Sequence, residues 1–335
     1  MHESAAIHGG TDGGPEPLYD FSTNANPLPP PPGLIEAVRQ ATFTRYPDPE
    51  YTALRESLAA AHGVSPDRIV VGAGASELIL RLVRRHSDPV AVLGPTFSEY
   101  ARCARLENRP LLLLEDPELL ARISKRCLAF VCRPNNPTGD LWALDPLGKA
   151  AALHTLVIDL AYAPLCNIPP EPGMAALVSR CICLHSPNKA FGLTGVRAAY
   201  AVLPAPDAAL AGFAPSWVLD ASGVAFLGAT IEPAAQAWLA ASLPTIAALR
   251  HDLATGLRKL GCEVRESPAT FLLARVGHAT PIARALRKCG LRVRDATSFG
   301  LPDHLRLCAA PIEAQRLLLT SLAVHLRSRD RDKTG

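Results

Sequence analysis

The amino-acid sequence predicts an α/β protein: a mostly parallel sheet with helices on both faces, followed by a second, smaller α/β domain. Three observations predict it. Short, continuous apolar runs, the form taken by strands buried on both faces, recur between residues 69 and 203. Helical stretches lie between most of them, which is the alternation expected of parallel strands joined by crossovers. After about residue 230 the character changes, and one long helical region leads into shorter runs and helices.

Taken in order, residues 1–33 are rich in Gly, Pro and Asn and end in four prolines at 29–32, which reads as an extended N-terminal arm. Residues 34–230 form the large domain. Its candidate strands are 69–71, 90–93, 111–114, 128–132, 155–158, 181–184 and 199–203, and its candidate helices 76–85, 97–106, 117–124 and 144–153. Cys181 and Cys183 alternate along one apolar stretch, as buried strand residues do. Residues 231–328 form the small domain. There a helical region at 232–260, interrupted by Pro244, precedes strands at 271–276, 291–294 and 305–307 and helices at 281–288 and 312–326. Residues 329–335 close the chain as a flexible tail, with fraying expected from Arg327 onward.

Composition excludes several functions. At 335 residues, 48% hydrophobic and 19% charged, the chain can bury a large core and is an ordered globule. Its net charge of +3 is spread without a basic block or aromatic-interleaved stripe, which argues against nucleic-acid binding. No apolar stretch approaches the roughly 20 residues of a spanning helix, and the start Met1-His2-Glu3-Ser4 has no signal-peptide pattern, so a cytoplasmic protein is expected. Nine scattered cysteines with no CxxC fit a reduced compartment and give no metal-ligand spacing. The ten histidines contain no HExxH, so no metal is expected.

Open α/β sheets bind ligands where strand ends meet helix starts, which directs attention to four loops. Gly72-Ala73-Gly74-Ala75-Ser76-Glu77 lacks the third glycine of a dinucleotide fingerprint, and Asp88 precedes the next strand instead of ending it. A Gly-rich turn into a helix still offers free amides to a phosphate; the plainer reading is a tight turn with Ser76 as helix cap. Arg133-Pro134-Asn135-Asn136-Pro137-Thr138-Gly139 holds two amides between prolines, as a rigid turn or beside a ring-bound oxygen. Asp159 follows a buried apolar run, where a carboxylate needs a cation or donors; it is a helix cap or a partner for a protonated heterocyclic nitrogen, with Tyr162 alongside. The fourth loop runs from Ser186 through Lys189 to Arg197. Of six lysines, only Lys189 follows an apolar strand among small and polar neighbours. A Schiff-base lysine must be partly desolvated, and a bound phosphate dianion needs a hydroxyl and a guanidinium nearby.

Together GAGASE, RYPDP, NNPTG, DLAY and SPNK…GVR resemble the class I/II aminotransferase family of pyridoxal-phosphate enzymes, over about residues 8–326. The resemblance implies a fold type I, three-layer large domain, a homodimer and pyridoxal 5'-phosphate as cofactor. It implies that Lys189 carries the cofactor as an internal aldimine and that Asp159 partners its pyridinium nitrogen. Tyr162 and Asn136 then bond its phenolic oxygen, and Phe97 stacks on its ring. Ala75, Ser76, Ser186 and Arg197 form the phosphate cup, with Tyr46 reaching it from a neighbouring subunit. Within the family, His8-Gly9-Gly10 followed by the run from Asp20 through Asn24 to Leu28 resembles the L-threonine-O-3-phosphate decarboxylases of cobalamin biosynthesis. Histidinol-phosphate aminotransferases share the N-x-N-P segment. In the decarboxylases, positions matching His8, Gly9, Asn24, Asn136, Arg294 and Arg306 contact the phosphorylated amino acid, and two arginines suit a substrate with a carboxylate and a phosphate. This implies a lyase that releases CO2 from threonine phosphate. The alternatives are histidinol-phosphate (or related) transamination and a cofactor-free scaffold. Several positions depart from the family pattern. Ala73 stands between the glycines, Leu160-Ala161 follow Asp159, and Ala198-Ala199 follow Arg197. Arg292 lies close enough to Arg294 to compete with it.

Overall fold

The computed structural model describes residues 9–169 and 171–332, with side chains to 326. His8, a candidate substrate ligand, lies outside the described residues. Numbered along the chain, the strands are β1 (Tyr19–Asp20), β2 (Ile69–Gly72), β3 (Val90–Leu93), β4 (Leu111–Leu114), β5 (Leu128–Cys132), β6 (Thr155–Asp159) and β7 (Ile182–His185). There follow β8 (Ala199–Val202), β9 (Glu263–Glu266), β10 (Phe271–Arg275), β11 (Leu291–Arg292), β12 (Arg294–Asp295) and β13 (His304–Cys308).

Seven strands form the main sheet in the order β2-β8-β7-β6-β5-β3-β4. All pairs are parallel except the two made by β8, which runs against β2 and β7. Alternation along the strands builds two cores. Val90, Val92, Leu128, Phe130, Val157 and Leu184 face one layer of helices. Ala91, Leu93, Ala129, Val131, Ile158 and Cys183 face the other, packed on Leu120, Leu147 and Leu177. Apart from edge strand β4, where Leu112 and Leu113 are exposed, the sheet is buried on both faces, which is why its strands read as continuous apolar runs.

A second sheet, β12-β13-β10-β9, packs its own core around Leu257, Leu272, Leu286, Leu307 and Leu318. Phe21 of the N-terminal arm is wholly buried in this core, and β1 pairs in parallel with β11. The arm is thus stitched to the C-terminal sheet.

Two expectations need correction. Pro244 does not interrupt the helical region: Pro233–Lys259 is one helix of 27 residues. Its proline lacks only one N–H, and buried Leu239, Ile246, Leu253 and Leu257 on either side hold the helix to the cores. The strand expected at 291–294 is two short strands in different sheets, because Leu291–Arg292 follows β1 whereas Arg294–Asp295 follows β13. The last helix is Ile312–Asp332, and 333–335 lie outside the described residues. Among the described residues, no helix is long and apolar enough to cross a membrane.

Candidate active site

The C-terminal ends of β2, β3, β5, β6 and β7 share one edge of the main sheet, and because β8 runs the other way, its start lies at that edge too. All the loops singled out above therefore converge. Gly9, Asn24, Ala75, Ser76, Phe97, Asn136, Asp159, Tyr162, Ser186, Lys189, Arg197, Arg294 and Arg306 line a single cavity of about 430 Å3. Tyr46 does not. It is 74% exposed and stacks on Trp217 with ring centroids 4.4 Å apart.

On the floor, Asp159 is the last residue of β6, not a loop residue after it, and is buried. One carboxylate oxygen accepts the Ala161 N–H at 2.9 Å and the other the Tyr100 hydroxyl at 2.7 Å. Tyr100 is itself wholly buried, stacked on Phe130 at 5.0 Å and edge-on to Phe97 at 5.6 Å. Burial first, and then Asp159, raise its pKa well above the usual range, so it stays a donor. Lys189 Nζ lies 5.2 Å from the centre of the Tyr162 ring. The Lys189 carbonyl accepts the Asn26 N–H at 2.9 Å, and the Asn26 amide donates to the Ala190 carbonyl at 3.1 Å and to Ser242 at 3.0 Å.

At one end, Gly74 (φ 91°) turns β2 into the helix Ala75–Arg85. The first amides of that helix have no intrahelical acceptor. The turn is braced by Glu77, which accepts the Ala73 N–H at 3.2 Å and pairs with buried Arg81. A Cβ added at Gly74 would stand 2.7 Å from Arg197 Nη2. Lining the same cavity, the buried Ser186 Oγ has no hydrogen-bond partner among the described residues. Amides, a hydroxyl and a guanidinium thus surround a space that only glycine leaves open.

At the other end, Arg294 and Arg306 stand directly opposite each other on β12 and β13, both buried. Burial, and next the Arg306 charge, push the pKa of Arg294 down to about 10; burial likewise lowers that of Arg306. Arg306 donates to Asn136 Oδ1 and, at 2.6 Å, to the Ser22 carbonyl. Arg294 donates to Ser298 Oγ at 2.6 Å and lies 4.9 Å from the centre of the Phe299 ring. Arg292 turns away from the cavity, toward Asp12 and Asp20. The arm roofs this end: Gly9 packs so closely on the Ser22 carbonyl and Arg306 that a Cβ there would collide with the carbonyl. Both amide atoms of buried Asn24 lack a partner among the described residues.

The two asparagines of the 133–139 loop divide the work. Asn135 ties the loop to Thr96, Pro95 and Thr138, and Asn136 faces the cavity. Sequence reasoning missed Tyr100, Asn26, Asp20 and Ser22. The first follows Phe97 by three residues, the one local sign that both serve one site. Among the described residues, no group of His, Cys, Asp and Glu could hold a metal ion.

The chain is similar to known proteins along nearly its whole length. The histidinol-phosphate aminotransferase of Nitratidesulfovibrio vulgaris (strain Hildenborough) is 30% identical over 336 residues, covering 89% of this chain and 86% of that one. Among solved structures, L-threonine-O-3-phosphate decarboxylase from Porphyromonas gingivalis superposes with a TM-score of 0.82 at 22% identity, covering 92% of this chain and 99% of that one. Histidinol-phosphate aminotransferase from Sinorhizobium meliloti in complex with pyridoxal-5'-phosphate does so at 0.80 and 24%, covering 93% and 92%. At these identities the two structures bear on the fold alone. The family model for aminotransferase class I and II, whose members bind pyridoxal 5'-phosphate, matches residues 16–318, and the chain belongs to that family.

Proposed function

We propose that the protein is a pyridoxal-phosphate-dependent decarboxylase that converts L-threonine O-3-phosphate to (R)-1-amino-2-propanol O-2-phosphate and CO2, the aminopropanol unit of cobalamin. The observation that carries this reading is the pair Arg294 and Arg306, two buried guanidiniums directly opposite each other. Like charges facing across a sheet destabilise it, and anions held between them restore the balance. Threonine phosphate bears its carboxylate and its phosphate on adjacent carbons, which matches cations on adjacent strands.

The residues present fit the cofactor. The unpartnered Ser186 Oγ and the notch at Gly74 beside Arg197 suit its phosphate, together with the amides at Ala75 and Ser76. Lys189 would carry it, Asp159 hold the proton on its ring nitrogen, Tyr162 and Asn136 bond its phenolic oxygen, and Phe97 cover its ring. Bound there, it supplies a sink for the electron pair left at the substrate's Cα when a bond to that carbon breaks.

The chain's own groups do the rest. Arg306 and Asn136 orient the substrate carboxylate so that the bond between Cα and that carboxylate is the one to break. Arg294 takes the phosphate, and Gly9 and Asn24 close the site from above. The carboxylate carbon leaves as CO2, and Lys189 Nζ delivers to Cα the proton that replaces it. The arm and the C-terminal domain, residues 231–328, exclude water and limit side transamination. The working unit is a homodimer in which exposed Tyr46 reaches the cofactor phosphate of the neighbouring subunit. Family members are typically homodimeric.

One finding favours histidinol-phosphate transamination: the curated relative named above carries that name. Histidinol phosphate has one anionic group and no carboxylate, so in its own half of the exchange it engages one of the facing guanidiniums, and only the keto acid of the other half would bring a carboxylate to them, whereas threonine phosphate engages both at once. Product analysis decides between the two. CO2 release from threonine phosphate, lost in Lys189→Ala, supports the decarboxylase; keto-acid-dependent amine exchange with histidinol phosphate and no CO2 overturns it. A cofactor-free scaffold would show no absorption band that Lys189→Ala abolishes.

A further inference from the structure

We propose that Arg292 is a positioning residue for substrate binding: through Asp20 and Ser22 it fixes the direction of Arg306. The inference rests on the reading of Arg306 as the cation that receives the substrate's carboxylate.

Arg292 is 6% exposed, and its guanidinium spans two carboxylates of the arm. Nη1 is 3.5 Å from Asp20 Oδ2 and Nη2 is 3.2 Å from Asp12 Oδ1. Asp20 in turn grips Ser22 twice through Oδ1, accepting its N–H at 2.7 Å and its hydroxyl at 2.6 Å. Its other oxygen accepts the Thr23 hydroxyl at 3.0 Å. Ser22 and Thr23 are thus both held by one carboxylate, which sets the peptide between them, and the Ser22 carbonyl of that peptide takes the Arg306 Nη2 donor at 2.6 Å. The Ser22 hydroxyl also accepts the Gly10 N–H at 2.8 Å, so the same grip seats the glycines of the roof. The backbone repeats the connection: the Phe21 N–H donates to the Arg292 carbonyl at 2.7 Å, and the Cys308 N–H to the Phe21 carbonyl at 3.0 Å.

The result is a connected row, Arg292, Asp20, Ser22, Arg306, leading from outside the cavity to its wall. A guanidinium presents its donors in a rigid fork. Anchoring one nitrogen on the Ser22 carbonyl and another on Asn136 sets where the remaining donors point. Without Asp20 the peptide between Ser22 and Thr23 loses its hold on both sides, and without Arg292 the Asp20 carboxylate loses the cation beside it. A plain anchor for the arm would need none of this order.

The test uses cofactor-loaded Asp20→Asn, Arg292→Gln, their double variant and Arg292→Lys, with threonine phosphate as substrate. Loss of one charge-assisted contact in such a row should raise KM roughly 10- to 100-fold, with kcat within about threefold and cofactor content unchanged. The double variant should be no worse than the poorer single one, since both break the same row, and Arg292→Lys should recover part of the loss. Unchanged KM in Asp20→Asn, additive losses, or a loss confined to kcat or to cofactor content overturns the proposal. If the unmodified protein leaves threonine phosphate untouched, the substrate assignment falls. The same variants are then titrated with L-glutamate at the cofactor's absorption band, where a weakened Kd in both single variants sustains the positioning role. An unchanged Kd, or no binding by the unmodified protein, ends it.

Discussion

Gly74→Ala is the sharpest probe of the proposed phosphate cup. Gly74 has φ 91° and ψ 166°, backbone that L side chains rarely adopt, and forcing alanine into it costs about 1–3 kcal/mol. The new methyl would stand 2.7 Å from Arg197 Nη2, well inside ordinary contact. Arg197 is the flexible partner, so it yields and withdraws from the phosphate. A lost charge-assisted hydrogen bond is worth about 1.5–3 kcal/mol, so cofactor Kd should rise roughly 10- to 100-fold. The assay titrates cofactor-free protein with pyridoxal phosphate and, in parallel, with pyridoxal lacking the phosphate. Gly148→Ala, in the helix Leu144–Leu153 with ordinary space around it, is the control. The variant should weaken the phosphorylated ligand and leave the unphosphorylated one nearly alone. Equal weakening of both, or a Kd within about twofold of the unmodified protein, would refute the placement of the phosphate beside Gly74 and Arg197.

Three more outcomes follow from the same geometry. Tyr100→Phe keeps the stack on Phe130 but removes the donor to Asp159, so kcat should fall about tenfold or more with the thermal midpoint little changed; an unaltered kcat removes Tyr100 from the machinery. His185 stacks on Tyr200 at 4.8 Å, and its pKa is pushed down to about 3 by burial and then by His62. The unfolded chain protonates this residue near pH 6.5, so between there and about 3 the unfolded state holds more protons and stability falls as pH drops. His185→Phe should flatten that part of the profile in denaturant titrations at pH 7 and pH 5; an unchanged slope says the ring is not held neutral. Pro244→Ala should restore a helical hydrogen bond inside Pro233–Lys259 and raise stability by about 1–3 kcal/mol, read as the thermal midpoint; a fall would show that the missing N–H costs this helix nothing.

How much of this was legible depends on where each residue's partner lies. The runs at 90–93 and 128–132 and the helix at 144–153 match the observed elements residue for residue, because strands buried on both faces and a bounded amphipathic helix carry their own signal; the run at 111–114 matches too, although it is an edge strand with Leu112 and Leu113 exposed. The strand Glu263–Glu266 was missed because its side chains are mostly exposed and no apolar pattern marks it; its pairing with β10 defines it. The loops that build the cavity were visible as strand-to-helix transitions, and their roles came from resemblance to a family. Tyr100 and Asp20 stayed silent because each acts on a residue brought near only by folding. Tyr100 meets Asp159 across 59 positions, and Asp20 meets Arg292 across a gap that only the pairing of β1 with β11 closes.

The choice between Arg292 and Arg294 shows the limit most plainly. Two residues apart in one strand, they would project from the same face, and nothing local separates them. The break at Val293 does: before it the backbone follows the arm, after it the backbone follows β13. One guanidinium therefore meets carboxylates of its own chain and the other meets the cavity. That division depends on tertiary pairing alone, so an exchange of partners is its direct check. Asp20→Ala with Asp12→Ala should leave Arg292 without either carboxylate and should cost stability, since a buried unpaired cation is expensive. Arg294→Gln should instead cost substrate affinity while relieving the repulsion from Arg306. Substrate affinity should fall in both, since Asp20 also acts on Arg306, so stability decides: if the first pair leaves the fold untouched and the second change weakens it, the two arginines have been assigned the wrong way round.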